Sequence, residues 1–260
     1  HSGIVSLAAP GVGVARALAL GFGHARTPTV ARMDADDVSL PDRFAQQVAL
    51  LESSAAIAVV ATQVELFPTG LGEGLERYVA WQNSHVSPAD HAREIFIESP
   101  VCHPSVLMRR ASIVAVGGYR DTVGPEDYDL WLRVDEAGFG IAKVAAPLLK
   151  WRRHSGQATF TESRYAARCF APAKGRTLAA RVSALSRGRR IAIWGAGPTG
   201  RRLARALEPY GIRVGLFVDV DPRKRAVEGP RDGRAHLHEH EAEVLERLPA
   251  EPPPIVRGDA

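Results

Sequence analysis

The sequence predicts an α/β protein composed of two units. Apolar, β-branched segments of strand length, of which residues 55–67 are the clearest, alternate with segments whose apolar residues recur at helical spacing. A strand, a glycine-rich loop and a helix begin again at residue 189. This alternation is typical of a sheet covered by helices. In residues 126–138, the positions at helical spacing that we expect in the core are Leu130, Trp131 and Val134.

The chain is expected to divide into a first unit at 1–160, a helical linker at 161–188 and a second unit at 189–260. Ser39 and Asp42 form an S-x-x-D pattern that predicts a capping box before a helix. In chain order, the elements expected in the first unit are strand 3–7, helix 12–20, strand 28–33, helix 42–52, strand 55–67, helix 126–138 and strand 141–154.

The composition is that of an ordinary soluble globular protein. Hydrophobic residues make up 45% and charged residues 24% of the 260 residues, and the net charge is +4. That mild surplus suits phosphate-bearing ligands and gives no reason to expect a nucleic-acid partner. Cys102 and Cys169 form no disulfide framework, which favours a cytoplasmic setting. No apolar run approaches the ~18 residues that span a bilayer, so we expect no transmembrane segment.

Three carboxylates crowd into the stretch "ARMDADDVSLPDRF" at residues 31–44. Asp34, Asp36 and Asp37 follow a predicted strand, and the carboxyl ends of strands are where α/β sheets bind ligands. Carboxylate oxygens are ligands that suit Mg²⁺ or Mn²⁺, and such ions often bridge to substrate phosphates. We therefore predict a metal and diphosphate site here. The alternative is an aspartate-rich loop that only caps the next helix.

Two further groups carry candidate chemistry. Glu126 and Asp127 stand at the start of a predicted helix, where one of them is a candidate general base. The alternative is that these carboxylates only complement the helix dipole. His154 follows a strand in "WRRHSGQAT" and is a candidate ligand or phosphate contact beside the metal site.

Four segments resemble the inverting family 2 glycosyltransferases of GT-A fold. They are "ARMDADDVSLPDRFAQQVALL", "SPVCHPSVLMRR", "GGYRDTVGPEDYDLWLRVDEAG" and "PLLKWRRHSGQAT", in the order and spacing of that family over about residues 3–160. The resemblance implies a nucleotide-sugar donor, a divalent cation and a glycan or lipid-linked acceptor. It implies that Asp34, Asp36 and Asp37 hold the metal and the donor diphosphate. Asp127 is then the base with Glu126 beside it, His154 lies near the diphosphate, and His103 lies on the acceptor side.

The resemblance also implies an incomplete N-terminus. The family begins with a strand–helix–strand unit that binds the nucleotide base, and this chain begins at His1, after that unit. We therefore expect a GT-A domain whose first βαβ unit is missing, and a chain that is inactive alone. The implied setting is polysaccharide synthesis in a bacterium, in the cytoplasm or peripherally at the inner face of the membrane.

The second unit carries the motif G-x-G-x-x-G in Gly195, Gly197 and Gly200, with Asp219 ending the next strand. This pattern resembles the Rossmann-like units that bind NAD(P), in which the acid contacts a ribose. The alternative for this unit is a Rossmann-like accessory domain that no longer binds a dinucleotide. For the whole chain, the alternatives to a glycosyltransferase are an NAD(P)-linked oxidoreductase centred on this unit and a non-catalytic remnant that binds only a nucleotide or a partner. The "HLHEH" stretch at 236–240 is expected to be a solvated loop.

Overall fold

The computed structural model describes residues 3–70 and 72–221, which form an α/β architecture with two sheets. The strands are β1 Thr29–Ala31, β2 Val38–Ser39, β3 Ile57–Phe67, β4 Leu107–Arg109, β5 Gly140–Arg152, β6 Ile191–Trp194 and β7 Val214–Val218. The α-helices are α1 Val14–His24, α2 Arg43–Glu52, α3 Glu73–Ser84, α4 Pro88–Glu94, α5 Arg110–Ala115, α6 Glu126–Glu136, α7 Ala158–Thr161, α8 Ala167–Ser186 and α9 Pro198–Leu207. Short 3₁₀ turns lie at His103–Ser105, Ser163–Tyr165 and Glu208–Tyr210.

The first sheet is mixed and has the strand order β1-β4-β3-β5-β2. The two long strands, β3 and β5, pair in parallel, whereas the short strands pair antiparallel. Residues 58–61 of β3 are fully buried because helices cover both faces of this central strand. The predicted α/β class is confirmed, and the parallel β3–β5 pair sets the edge at which the candidate site lies.

Helix α6 packs against this sheet and buries its apolar face in the main core. Leu130, Trp131 and Val134 are all 0% exposed, which confirms the prediction made from their spacing. They pack in the main core with Val59 of β3 and Met108 of β4. Burying large apolar side chains stabilises a fold by about 1.5–3 kcal/mol each, so α6 is firmly held. The helix therefore presents its first turn, at Glu126, from a rigid element.

The segment expected to be a linker is a packed helix. α8 contacts both α6 and α9 and buries Cys169, Gly175, Thr177 and Ala179. Gly175 lies so close to α9 that an added Cβ would stand 2.5 Å from the carbonyl oxygen of Ala206. The helix thus joins the two units by direct packing.

The second sheet contains the parallel strands β6 and β7, connected through α9 in a βαβ unit. Strand, glycine loop and helix lie where the sequence predicts them. The histidine-rich stretch at 236–240 falls outside the described residues.

Two local predictions in the first unit are wrong. Ile4 and Val5 are 78% and 74% exposed and belong to no strand. The expected capping box also fails, because Asp42 stands at the N-cap of α2 with a left-handed backbone (φ 63°) and makes no side-chain capping hydrogen bond, and Ser39 lies in β2. A true capping box stands instead at Ser87 and Asp90, before α4.

Within residues 3–70 and 72–221, no helix combines the length and the apolar character that crossing a bilayer requires.

Candidate active site

One cleft of about 770 Å³ collects residues from every candidate segment of the first unit. Its volume lies in the range of small-molecule sites. The candidate residues that line it are Asp34, Asp36, His103, Glu126, Asp127 and His154. These come from the segment after β1, the turn before β4, the first turn of α6 and the end of β5. The fold therefore unites groups that lie far apart in the chain.

The aspartate segment is fastened to the end of β5. The Asp36 carboxylate lies 3.0 Å from Nε2 of His154, and the Asp36 carbonyl accepts a hydrogen bond of 2.6 Å from Nε of Arg152. Asp34 accepts a hydrogen bond of 2.7 Å from Nη1 of Arg32. Both carboxylates are partly exposed to the cleft, at 41% for Asp34 and 35% for Asp36. These two side chains are the ones that a ligand can reach.

Asp37 has different surroundings. It is 8% exposed, and its Oδ1 accepts a hydrogen bond of 2.8 Å from the backbone N–H of Arg152. Burial raises the pKa of Asp37 to about 6, partly offset by that hydrogen bond and reinforced by the charges of Asp34 and Asp36. Asp37 is absent from the cleft lining, and the three aspartates do not converge on one point among the described residues. Asp37 therefore ties the aspartate segment to β5, a role that differs from the expected metal ligand.

A buried arginine on α2 holds the backbone next to the aspartate segment by hydrogen bonds. Arg43 on α2 is 0% exposed and donates hydrogen bonds to the carbonyl oxygens of Arg32, at 3.1 Å, and Pro104, at 2.8 Å. One turn later, Gln47 donates to the carbonyl oxygens of Val60 and Ser105. The sequence patterns do not predict a role in the site for either residue. The available signal was two polar residues on the buried face of an amphipathic helix.

The acidic pair at the start of α6, Glu126 and Asp127, forms a cluster with His103. Atoms of His103, Glu126 and Asp127 lie within 4.8 Å of one another, close enough to hold a metal ion. Glu126 is 2% exposed and accepts a hydrogen bond of 2.8 Å from the hydroxyl of Tyr165. His103 Nδ1 lies 3.8 Å from Glu126, and His103 Nε2 lies 2.7 Å from the hydroxyl of Tyr119. Glu126 therefore has neighbours on two sides, whereas Asp127 is the partly accessible member.

The electrostatics of this cluster favour a proton-accepting carboxylate. Burial raises the pKa of Asp127 above that of an ordinary aspartate, and the negative charge of Glu126 raises it further. Burial lowers the pKa of His103 well below the usual value, so that imidazole is neutral at pH 7. Asp127 Oδ1 accepts a hydrogen bond of 2.8 Å from the N–H of Tyr128, which leaves Oδ2 for other partners.

The glycine loop of the second unit has the expected backbone. Gly195 has a left-handed φ of 110°, and Gly200 lies so close to the carbonyl oxygen of Gly195 that no side chain fits there. Around Gly197 there is open space. Asp219, the expected ribose ligand, instead accepts a hydrogen bond of 2.8 Å from the N–H of Ala196 within the loop. Its carboxylate therefore holds the loop together.

The fold and the cleft together define an α/β domain with acidic residues and a histidine around a site for a small polar ligand. Residues 4–117 match the model of a family described as glycosyl transferase family 2. Over residues 4–117 the chain is thus similar to the family 2 glycosyltransferases, a class of enzymes. The match includes the aspartate segment and His103 and ends before Glu126.

The individual proteins to which the chain is similar are also named as glycosyltransferases. The chain is 31% identical over 144 residues to an amylovoran biosynthesis glycosyltransferase, AmsE, of Erwinia amylovora, covering 55% of this chain and 52% of the relative. It is 28% identical over 123 residues to an Escherichia coli UDP-Gal:alpha-D-GlcNAc-diphosphoundecaprenol beta-1,3-galactosyltransferase, covering 47% and 42%. The chain spans about half the length of these relatives. Among solved structures, TarS 1-349 of S. aureus, in complex with UDP-GlcNAc, is similar with a TM-score of 0.46 and 12% identity, covering 63% of this chain and 45% of that one.

Proposed function

We propose that the first unit transfers a sugar from a nucleotide-sugar donor to an acceptor hydroxyl with inversion, and that it uses a divalent cation. The observation that carries this proposal is the single cleft shared by the Asp34–Asp36–His154 group and the Glu126–Asp127 pair. A group that binds phosphate through a metal and a separate carboxylate that accepts a proton are the two functions that such a transfer requires.

The donor side of the cleft suits Mg²⁺ or Mn²⁺. Asp36 and His154 lie 3.0 Å apart and supply one carboxylate and one imidazole, and Asp34 lines the same cleft without forming a three-ligand cluster with them among the described residues. This set is too small for an all-protein cage, which fits an ion that completes its shell with donor phosphates and water. When bound, the cation offsets the charge that develops on the departing nucleoside diphosphate. Asp37 supports the site by fixing the backbone between Asp36 and β5.

Asp127 is the proposed base. Its free Oδ2 takes the proton of the acceptor hydroxyl as the oxygen of that hydroxyl bonds to the anomeric carbon. The bond from the anomeric carbon to the diphosphate breaks on the opposite face, so a single displacement inverts the configuration. An ordinary aspartate, with a pKa of ~3.9, is a weak base. The raised pKa of Asp127 makes it stronger, because efficiency increases as the base's pKa approaches the working pH.

The proposed acceptor is a glycan or a lipid-linked saccharide of bacterial polysaccharide synthesis. The support comes from the relatives, one named for amylovoran biosynthesis and one for transfer to a diphosphoundecaprenol acceptor. The proposed setting is the cytoplasm, with peripheral contact at the inner membrane face as the open alternative. Cys102 and Cys169 are both free and buried, in keeping with a reducing compartment.

The division into units at 1–160 and 189–260, joined by 161–188, remains our proposal for domain organisation. For the second unit we propose an accessory role. The competing function, NAD(P)-linked oxidation, is supported by the glycine loop and the open space at Gly197. Against it stands Asp219, whose carboxylate bonds the loop N–H of Ala196. A thermal shift with NAD⁺ or NADP⁺ would favour the dinucleotide-binding alternative.

The proposal is tested with the 260-residue chain, Mn²⁺ and a panel of UDP- and GDP-sugars. We expect saturable binding of a nucleoside diphosphate in the presence of Mn²⁺, measured by calorimetry. Release of that diphosphate when an acceptor is added is assayed in the full-length protein, because the 260-residue chain is expected to be inactive alone. Nuclear magnetic resonance of the first-formed product reports the anomeric configuration. Retention of configuration would overturn the inverting mechanism, and the absence of any Mn²⁺-dependent binding to a nucleoside diphosphate would overturn the donor site.

A further inference from the structure

Helix α9 of the second unit forms part of the wall of the transferase cleft. Thr199, Arg202 and Leu203 line the same cavity as Asp36 and Asp127. Their spacing of three and four positions places them on one face of α9. The second unit therefore contributes side chains to the site that the first unit carries.

The position of α9 is held by packing and ion pairs through α8. Gly175 of α8 allows the close approach to Ala206 of α9. On its other side, α8 binds α6 through Arg181, which lies 2.6 Å from Asp135, and through the ion pair of Arg176 with Glu136. Helix α6 is the helix that begins with Glu126. A continuous set of contacts thus runs from the proposed base to α9.

Most of the basic side chains around the cleft already have partners in the protein. Arg32 binds Asp34, and His154 lies beside Asp36. Lys174 donates a hydrogen bond of 2.6 Å to the carbonyl oxygen of Phe96. These side chains therefore already make contacts within the protein, at the wall of the cleft.

Two guanidinium groups remain to be compared. Arg153 is stacked on the rings of Trp151 and Phe160, with its Cζ 4.6 and 4.8 Å from the two ring centroids, and its Nε is buried without a hydrogen-bond partner. Arg202 is exposed and makes no hydrogen bond or ion pair within residues 3–70 and 72–221. Arg202 is thus an exposed cation in the cleft whose donors are all open to a ligand.

We propose that Arg202 binds a phosphate or diphosphate group of a substrate in this cleft, with the second unit acting as a wall of the transferase site. The proposal rests on the proposed function of the cleft. A neutral sugar makes little use of a full positive charge, whereas a guanidinium matches phosphate oxygens with two parallel hydrogen bonds. The hydroxyl of Thr199, one turn earlier, can donate a further bond to the same group. The phosphate belongs either to the donor or to a phosphorylated acceptor.

The test compares Arg202→Gln, Arg202→Lys and the control Arg205→Gln in the 260-residue chain. Arg205 is exposed on the same helix and does not line the cleft. The probes are inorganic pyrophosphate, UDP with Mn²⁺, and farnesyl phosphate as a phosphorylated lipid, each titrated by calorimetry at two salt concentrations. Circular dichroism and thermal unfolding confirm that the variants fold.

We expect Arg202→Gln to weaken binding of at least one probe by about 10-fold, because a charge-assisted hydrogen bond is lost. Arg202→Lys should retain part of the affinity, and Arg205→Gln should change nothing. Loss for UDP identifies the donor as the source of the phosphate, and loss for farnesyl phosphate alone identifies the acceptor.

Equal binding by the Arg202→Gln and Arg205→Gln variants for all three probes would overturn this inference. That result is distinct from failure of the proposed function, which is the absence of Mn²⁺-dependent UDP binding in the unchanged chain. Pyrophosphate binding that depends on Arg202 would support the inference even in that case.

Discussion

Nε2 of His154 lies 3.0 Å from the carboxylate of Asp36, although 118 positions separate the two residues in the chain. The contact forms because β5 delivers His154 to the edge of the sheet at which the aspartate segment leaves β1. It agrees with the expected proximity of the two residues. Their role in holding a metal and a diphosphate remains our proposal, and it leads to the first prediction.

Asp36→Asn should weaken binding of Mn²⁺ with UDP by about 10-fold or more, because it removes a charged oxygen ligand from the cleft. Asp37→Asn is the matched control, since the same chemical change falls on a side chain outside the cleft lining. It should leave that binding within about twofold, a change of less than ~0.5 kcal/mol. Calorimetric titration measures both. If Asp37→Asn loses binding as severely as Asp36→Asn, the division of roles among these aspartates is wrong.

Asp127→Asn should keep UDP and Mn²⁺ binding and lower turnover by ~10²–10⁴-fold, because it removes the proposed base and preserves the shape of the side chain. Steady-state kinetics of the full-length enzyme with a competent donor and acceptor measure the effect. Normal turnover in Asp127→Asn together with an inactive Glu126→Gln would assign the base to Glu126 instead. Because a cation held at this cluster would also lose a ligand in Asp127→Asn, unchanged Mn²⁺ binding separates the base from a metal ligand.

The pH dependence of kcat/KM should show an acidic limb that rises as Asp127 loses its proton. Burial and the charge of Glu126 raise the pKa of Asp127, so this limb should lie above that of an ordinary aspartate. Glu126→Gln removes the neighbouring negative charge and should therefore move the limb to lower pH. A limb that stays in place or moves to higher pH in this variant would contradict the assignment. Tyr165→Phe, which leaves the charge of Glu126 in place, serves as the comparison.

Arg43→Met should destabilise the fold by about 2–4 kcal/mol, because it leaves buried carbonyl oxygens without their donor. The affected carbonyls belong to Arg32 and Pro104, so the aspartate segment should loosen as well. Arg77→Met is the control, since the side chain of Arg77 is 79% exposed and its pair with Glu73 is a surface contact. Denaturant unfolding measures the difference. If the two variants unfold at the same denaturant concentration, the buried arginine has no structural role.

Gly200→Ala should lower the melting temperature of the chain, because the new Cβ would overlap the carbonyl oxygen of Gly195. Gly197→Ala is the matched control in the same loop. Gly197 has a φ of −74° and open space around the position of a Cβ, so alanine should be tolerated there. Thermal unfolding compares the two variants. Equal losses of stability would mean that the loop geometry is different from that described.

Local pattern determined much of the fold. The spacing of Leu130, Trp131 and Val134 identified the buried face of α6, because a helix brings positions three and four apart onto one side. Runs of β-branched residues marked β3, and the glycine motif marked the turn before α9. These features depend on near neighbours in the chain. The capping pattern at Ser39 and Asp42 also depends on near neighbours only, and it predicted a capping box that does not form. Ser39 pairs instead with the distant strand β5.

The tertiary structure decided which of the candidate side chains face the cleft and which are buried. Asp36 and Asp37 are adjacent and chemically identical, yet one opens to the cleft and the other is buried against β5. Burial and hydrogen bonding depend on which distant segment packs over each side chain, and that information is spread over the whole chain. The buried role of Arg43 and the entry of Arg202 into the cleft arise in the same way. A sequence pattern indicates which residues can do chemistry, whereas packing between distant elements determines which of them reach a substrate.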